Sequence, residues 1–249
     1  MERSSGSILT TETIFSVGMT SDWHYHENPH FSHILSGGSK ELYAIKSQQQ
    51  HAGKSLYYYP GIAHQNNNYL PGTHIFNIEV DPVFFKTHEL DMPGEDMMFH
   101  PDIYLSSGNL LKILSEHRRA DQDSRISIEQ LTLDLIHSNR LPEKCYPEWT
   151  RKILTVVNDN WNAPLSLSWI SEQVGLHPVS LSKHFSRYYK CTLGMYIRKI
   201  RVEHALHLIR QGNLSLTGIA YQCGFSDQAH FTRTFLSVTG MLPKTYKNI

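Results

Sequence analysis

Cysteine is scarce in this chain of 249 residues: Cys145, Cys191 and Cys223 are the whole set, with no CxxC pair. An odd, scattered set excludes a disulfide scaffold and a zinc finger, and points to a reduced cytoplasmic protein. No apolar run is long enough to cross a bilayer, and the polar amino terminus does not read as a signal peptide. Low-complexity segments are lacking as well. There is no phosphate loop, no nucleophile beside a base and no paired-carboxylate pattern. No catalytic residue is therefore assigned, and the chain is not expected to be an enzyme.

Net charge is also missing, with 23 Lys and Arg against 23 Asp and Glu. That zero conceals two halves. Residues 1–146 hold 11 basic and 18 acidic side chains, and residues 147–249 hold 12 and 5. An acidic half joined to a basic half predicts two domains, the second suited to a polyanion.

The basic half carries one pattern twice, 49 to 50 residues apart. The first copy runs from Leu167 to Phe185 and the second from Leu216 to Phe235. Each predicts a short amphipathic helix, a glycine turn and a second helix. Ser166 and Ser215 stand where N-caps belong, and Ser226 is a good cap for the last helix. Ile170 with Val174, and Ile219 with Cys223, are four apart and face inward. Gly175 and Gly224 fall where the first helix of each pair needs a left-handed residue. Leu181 with Phe185, and Phe231 with Phe235, give each second helix its buried stripe. This is the pattern of two helix-turn-helix units, which set one helix into the DNA major groove. Between them Gly194–Gln211 predicts a connecting helix of 18 residues, roughly 27 Å long.

From Pro147 to Lys247 the chain resembles the AraC-type family of bacterial transcription regulators. The resemblance rests on Gly194-Met-Tyr-Ile-Arg-Lys-Ile-Arg201-Val-Glu-His-Ala205, Ile219-Ala-Tyr-Gln-Cys-Gly-Phe-Ser-Asp227 and Thr239-Gly-Met-Leu-Pro243. It implies that Val179, Ser182 and Lys183 in the first recognition helix contact bases, with Gln228, Ala229, His230 and Arg233 in the second. Arg233 can donate twice to a guanine edge and Gln228 can bridge an adenine edge. Arg187, Arg198, Lys199 and Lys244 are assigned to phosphates. Two positions depart from the family: His177 replaces a serine cap, and Lys190 a glycine.

The acidic half has a different texture. Short β-branched and aromatic runs at Thr13–Val17, Phe31–Leu35, Glu41–Ile45, Ser55–Tyr59 and His74–Val80 are broken by Gly, Asn and Pro. Their spacing predicts a β-sandwich or small barrel. Histidines gather here as Gly18-x5-His24-x-His26-x3-His30-x6-Gly37, followed by Gly53-x5-Tyr59-Pro-Gly61-x2-His64-x3-Asn68. His24 and His26 share one face of a strand, and His64 can approach from a neighbour. The pair of segments resembles the signature of the cupin barrel, with His30 for the usual glutamate and Tyr59 for the usual proline. With that carboxylate replaced, His24, His26, His30, Tyr59 and His64 are read as the lining of an effector pocket, with no metal and no cofactor; a zinc, nickel or iron site built from three or four of these imidazoles is the alternative. The aromatics Trp23, Tyr25, Phe31, Tyr57 and Tyr58 would suit a small organic effector.

Residues 81–102, with three prolines, read as irregular, and helices are predicted near Leu105–Arg118 and Ser127–Ser138. The expected architecture is a two-domain chain, an all-β cupin-like barrel (jelly roll) with appended helices, followed by an all-α double helix-turn-helix domain. The boundaries are 1–100 for the effector-binding domain, 101–140 for helices that link or dimerise, 141–147 for a hinge and 148–249 for the DNA-binding domain. The expected function is sequence-specific transcription regulation, with DNA affinity modulated by a small molecule in the barrel. Its expected partners are double-stranded DNA, that effector, RNA polymerase and a second copy as a homodimer, without a membrane. The alternative is a cupin metalloenzyme, an oxygenase or isomerase, carrying a helical domain.

Overall fold

The computed structural model describes residues 1–99, 107–138, 148–189 and 191–249. The expected hinge, 141–147, and Lys190 lie outside these residues. Two compact units emerge, Met1–Arg140 with Thr239–Ile249, and Leu141–Val238.

The first unit is rich in sheet. Strands β1 (Glu2–Ser5), β2 (Ile8–Phe15), β3 (His30–Ser36), β6 (Ser55–Tyr58) and β8 (Thr73–Val80) form an antiparallel sheet in the order β1-β2-β8-β3-β6. A three-stranded sheet, β5-β4-β7, is built from β4 (Lys40–Leu42), β5 (Ser47–Gln49) and β7 (Gln65–Asn67). Strand alternation decides what faces what. On β3, His30, Ser32 and Ile34 face a cavity, while Phe31, His33 and Leu35 are buried on the other side. The register pairs His30 with Tyr58 and Ser32 with both Leu56 and Asn77, so those partners share the cavity face. Ser39, Gln50 and Asn66 bring the smaller sheet to the same cavity.

The stretch after β8 is more ordered than its prolines suggest. Helices α1 (Pro82–Thr87) and α2 (Glu95–Phe99) form within it. Asp81 accepts from the Val83 amide at 2.7 Å and Pro82 takes the first turn, where a proline lacks nothing it needs. Helices α3 (Ser107–Arg119) and α4 (Ser124–Ser138) follow. The latter begins a turn before Ser127, because Asp121 accepts from the amides of Asp123 and Ser124 at 3.2 and 3.0 Å.

The second unit comprises α5 (Glu148–Asp159), α6 (Leu167–Val174), α7 (Pro178–Tyr189), α8 (Leu193–Gln211), α9 (Leu216–Gln222) and α10 (Gln228–Thr239). A final helix, α11 (Pro243–Lys247), falls among the residues grouped with the first unit. Thr192 caps α8 through the Met195 amide, and Gly212 ends it at φ 72°. Ile197 and Ile200 of α8 join Ile153, Val157, Ile170, Leu181 and Phe185 in one core. Farther along, Val202, Ala205, Leu206 and Ile209 are buried as well. One helix thus serves both helix pairs. Among the described residues no helix is long and apolar enough to cross a membrane.

Glu12 ties β2 to β8 and α3. Arg118 Nη2 lies 2.6 Å and His74 Nε2 3.0 Å from the same carboxylate oxygen, and Thr10 Oγ1 meets His117 Nδ1 at 2.8 Å beside them. Burial alone would raise this carboxyl, but hydrogen bonds from His74 and Arg118 outweigh it and hold the pKa at about 2, against an ordinary 4.5. A depressed folded-state value stabilises the fold above pH 4.5, and this contribution drains away as pH falls toward about 2. Glu12→Gln is therefore expected to unfold at lower urea than the parent at pH 6, with the gap closing below pH 4.5. A gap independent of pH would show that the charge on Glu12 is not what matters.

Candidate nucleic-acid interface and effector pocket

Both helix-turn-helix units are built by local signals. Ser166 Oγ accepts from the Trp169 amide and Ser215 Oγ from the Gly218 amide, each at 3.1 Å. Gly175 and Gly224 turn the chain at φ 71° and 73°. Leu181, Phe185, Phe231 and Phe235 are fully buried, which turns the opposite faces of α7 and α10 outward. The cap of α10 is Asp227 rather than Ser226. Its Oδ1 accepts from the His230 amide at 2.7 Å, and that bond, with the Ser226 hydroxyl, holds its carboxyl below the usual range. A carboxylate accepts more strongly than a neighbouring hydroxyl and suits the positive end of the helix. At α7 the His177 imidazole takes the cap position with a long contact, 3.4 Å from the Val179 amide.

Val179, Ser182, Lys183 and Arg187 are all exposed on α7, as are Gln228, Ala229 and Arg233 on α10. His230 is half-buried, its Nδ1 3.3 Å from Ser226 Oγ and its ring edge-on to Phe225 at 5.4 Å. The Gln228 carbonyl accepts from Thr217 Oγ1 at 2.5 Å, which leaves its amide nitrogen as the outward-facing donor. Arg201, within the linking motif, is a structural clamp. Its Nε donates to Trp161 O at 2.8 Å, Nη1 to Gly224 O at 2.7 Å and Nη2 to Ala163 O at 2.8 Å. Nothing local in the sequence marks it, because all three acceptors are backbone atoms 23 to 40 residues away.

In the first unit the cavity measures about 100 Å³. His24, His26, His30 and His64 line it together, with Tyr58 beside them. Tyr59 does not line it. Strand alternation puts residue 58, opposite His30, on the cavity face and turns 57 and 59 away. The other aromatics are elsewhere too: Trp23 and Tyr25 are exposed, and Phe31 and Tyr57 are buried behind the sheet. His24 and His64 form a two-way backbone bridge, with N–H to O distances of 3.0 and 2.9 Å. Their rings lie 4.4 Å apart, and the His26 ring stacks on His30 at 4.1 Å.

The tautomers of two rings follow from their partners. His24 Nδ1 contacts Asp22 O at 2.8 Å and His64 Nδ1 contacts Ile62 O at 3.1 Å. A carbonyl only accepts, so each Nδ1 carries a proton, and in the neutral ring it is Nε2 that holds the lone pair. Burial, and then the neighbouring imidazoles, lower the His26 pKa to about 2. Burial likewise lowers His30 to about 4 and also depresses His64. At neutral pH His26, His30 and His64 are therefore uncharged bases. Glu41, fully buried, lies one layer behind the wall, where its Oε2 accepts from Gln48 at 2.9 Å and from the cavity-lining Gln50 at 2.5 Å. A carboxylate thus stands near the cavity after all, contributed by β4 rather than by the histidine segment.

Residues 170–249 match the helix-turn-helix domain family. The transcriptional activator RhaR of Salmonella typhimurium is 25% identical over 161 residues, which cover 65% of this chain and 51% of that protein. The chain spans about half the length of the curated relatives it matches. Among solved structures, ToxT of Vibrio cholerae with bound unsaturated fatty acid is 15% identical at a TM-score of 0.40, covering 99% of this chain and 97% of that one. A transcriptional regulator of Chromobacterium violaceum, described as having an AraC-type DNA-binding domain, is 25% identical at a TM-score of 0.39. It covers 40% of this chain and 89% of that one.

The two turn glycines differ in their surroundings. A Cβ on Gly175 would meet open space, whereas one on Gly224 would lie 2.7 Å from Asn162 O and 3.0 Å from Arg201 Cζ. Gly175→Ala is expected to cost the left-handed strain alone, about 1 to 2 kcal/mol. Gly224→Ala should cost at least about twice as much, since it also displaces the clamp. Urea unfolding of both variants measures the difference. Equal losses would mean that the clamp adds nothing to the second turn.

Proposed function

We propose that the chain is a sequence-specific transcription regulator of the AraC type, controlled by what its first unit binds; residues 170–249 match the helix-turn-helix domain family, which supports this reading. The observation that carries this reading is the pair of helices α7 and α10. Each has a buried aromatic or aliphatic stripe and an outward face of donors and small side chains, and both are joined through one rigid helix. The 19 residues of α8 span roughly 28 Å, close to one turn of DNA at about 34 Å. Val179, Ser182, Lys183, Gln228, Ala229, His230 and Arg233 are the proposed base contacts, and Arg187 a proposed phosphate contact. The basic excess of residues 147–249 supplies the attraction to phosphate.

The first unit is proposed as a cupin-like jelly roll. Two antiparallel sheets that face a shared polar cavity support this reading. The proposed domain limits stay at 1–100, 101–140 and 148–249, with 141–147 as the connection. A second copy and RNA polymerase complete the proposed partners. The enzyme alternative is the weaker reading because it leaves the matched helix-turn-helix domain without a role.

The test selects duplexes from a random pool with the full chain and compares variants on the preferred site. Arg233→Ala is expected to cost about 1 to 3 kcal/mol and to blur selectivity at one position. Arg187→Ala should weaken all sequences alike and reduce the salt dependence by about one ion. An unchanged site preference in Arg233→Ala would remove α10 from the role of reader.

A further inference from the structure

Gln228 opens α10, and its backbone and side chain are held by different neighbours. The backbone is set by the Asp227 cap, whose Oδ1 accepts from the His230 amide at 2.7 Å. The side chain is set by the other helix of the pair, through Thr217 Oγ1 on α9 at 2.5 Å. That distance identifies the atoms that meet. O–H···O bonds run from about 2.5 to 3.0 Å, and N–H···O bonds from about 2.7 to 3.2 Å. The atom facing Thr217 is therefore the amide oxygen, which carries no hydrogen, so the hydroxyl donates. Within a helix a threonine hydroxyl often turns to the carbonyl four residues back. Here that residue is Asn213, ahead of the Ser215 cap, so the hydroxyl has no helical rival for its proton. Both side chains are exposed, and water competes for the bond in the free protein. A duplex seated against α10 would exclude that water and strengthen the bond.

This contact restricts what Gln228 can offer a base. A glutamine that reads adenine uses both ends of its amide, the oxygen for the N6 amino group and the nitrogen for N7. With its oxygen turned back onto Thr217, Gln228 presents only the NH2 group. Two hydrogens on one nitrogen suit an edge made of acceptors, N7 and O6 of guanine or O4 of thymine. The amino groups of adenine and cytosine would instead set donor against donor. We propose that Thr217 is a specificity-determining positioning residue: by holding the Gln228 oxygen it makes the second helix pair select a keto base, guanine or thymine, where an unrestrained glutamine would select adenine. The proposal rests on the regulatory reading above, and it departs from the adenine edge expected of Gln228 from the sequence.

Duplexes selected by the full chain from a random pool locate the base that Gln228 reads, as the position whose preference Gln228→Ala flattens. At that position the parent is expected to favour a keto base over adenine by at least about fivefold in affinity. Four duplexes that differ only there tell guanine from thymine. Thr217→Val keeps the shape of the side chain and removes its hydroxyl, so adenine should rise to within about twofold of the keto base. Thr217→Ser restores the donor and should restore the parent's order of bases. Salt dependence should be the same for all three proteins, because no phosphate contact changes. A merely weakened helix would lower affinity for every duplex alike and leave the order untouched. Should Thr217→Val fail to fold by circular dichroism, Thr217→Ala replaces it with the same expectation. Three results overturn the inference and leave the regulator standing: no position flattened by Gln228→Ala, adenine or cytosine favoured by the parent, or an order of bases that Thr217→Val does not alter. If no duplex is preferred at all, the regulatory reading fails and the inference falls with it.

Discussion

The second unit depends on one guanidinium. Arg201 donates to three backbone carbonyls, two in the 161–163 segment after α5 and one at the Gly224 turn of the second helix pair. Carbonyls at a chain reversal have no helical partner of their own, and leaving them buried without a donor is costly. A lysine offers three donors from a single point and cannot span these acceptors as a planar fork does. The interaction fixes the place where the first helix pair meets the second, and the positions of α9 and α10 follow from it. Gly224 lacks a Cβ because the guanidinium and Asn162 occupy the space.

In the first unit the governing constraint is parity. Strand β3 is buried along both faces, so every residue has an assigned side. Even-numbered residues give the cavity its polar floor, in which Ser32 donates to Asn77 across the sheet at 2.7 Å. Odd-numbered residues pack behind it, where His33 meets Ser55 at 2.9 Å and the Ser55 hydroxyl meets Ser107 on α3 at 2.7 Å. Burial lowers the His33 pKa to about 3 and keeps it neutral. The same alternation that brings the four histidines together excludes Tyr59.

What was legible in the sequence is what is encoded locally. The caps Ser166 and Ser215, the glycines 175 and 224 and the buried stripes of α7 and α10 lie within one or two turns of the helices they define. The connecting helix is read almost to the residue, and starts at Leu193 instead of Gly194 because Thr192 is its cap. Ser226 and Asp227 are adjacent and either can cap α10, and only the folded geometry selects Asp227. Prolines concealed α1, although Asp81-Pro82 is itself a helix start. Register is not local: Tyr58 and Tyr59 differ only in which face the pairing with β3 gives them. Glu12 and Arg118 meet across 106 residues, and no window along the chain contains both. Glu41 reaches the cavity only through a second sheet.

Helix α8 has a consequence for what the protein can recognise. Both helix pairs are mounted on one continuous rod, with Ile197 and Ile200 in the first core and Val202, Ala205, Leu206 and Ile209 buried farther along. A flexible linker would let two reading heads adapt to half-sites at varied separations. A rod fixes distance and angular phase together. Each residue added to it would advance the second head by about 1.5 Å and swing it by about 100°. Only insertions near whole turns, about seven residues at a time, would restore the phase. On the proposed role of α7 and α10 as readers, the spacing of an operator would be quantised, and new operators would be reached by changing side chains on the two heads rather than the distance between them.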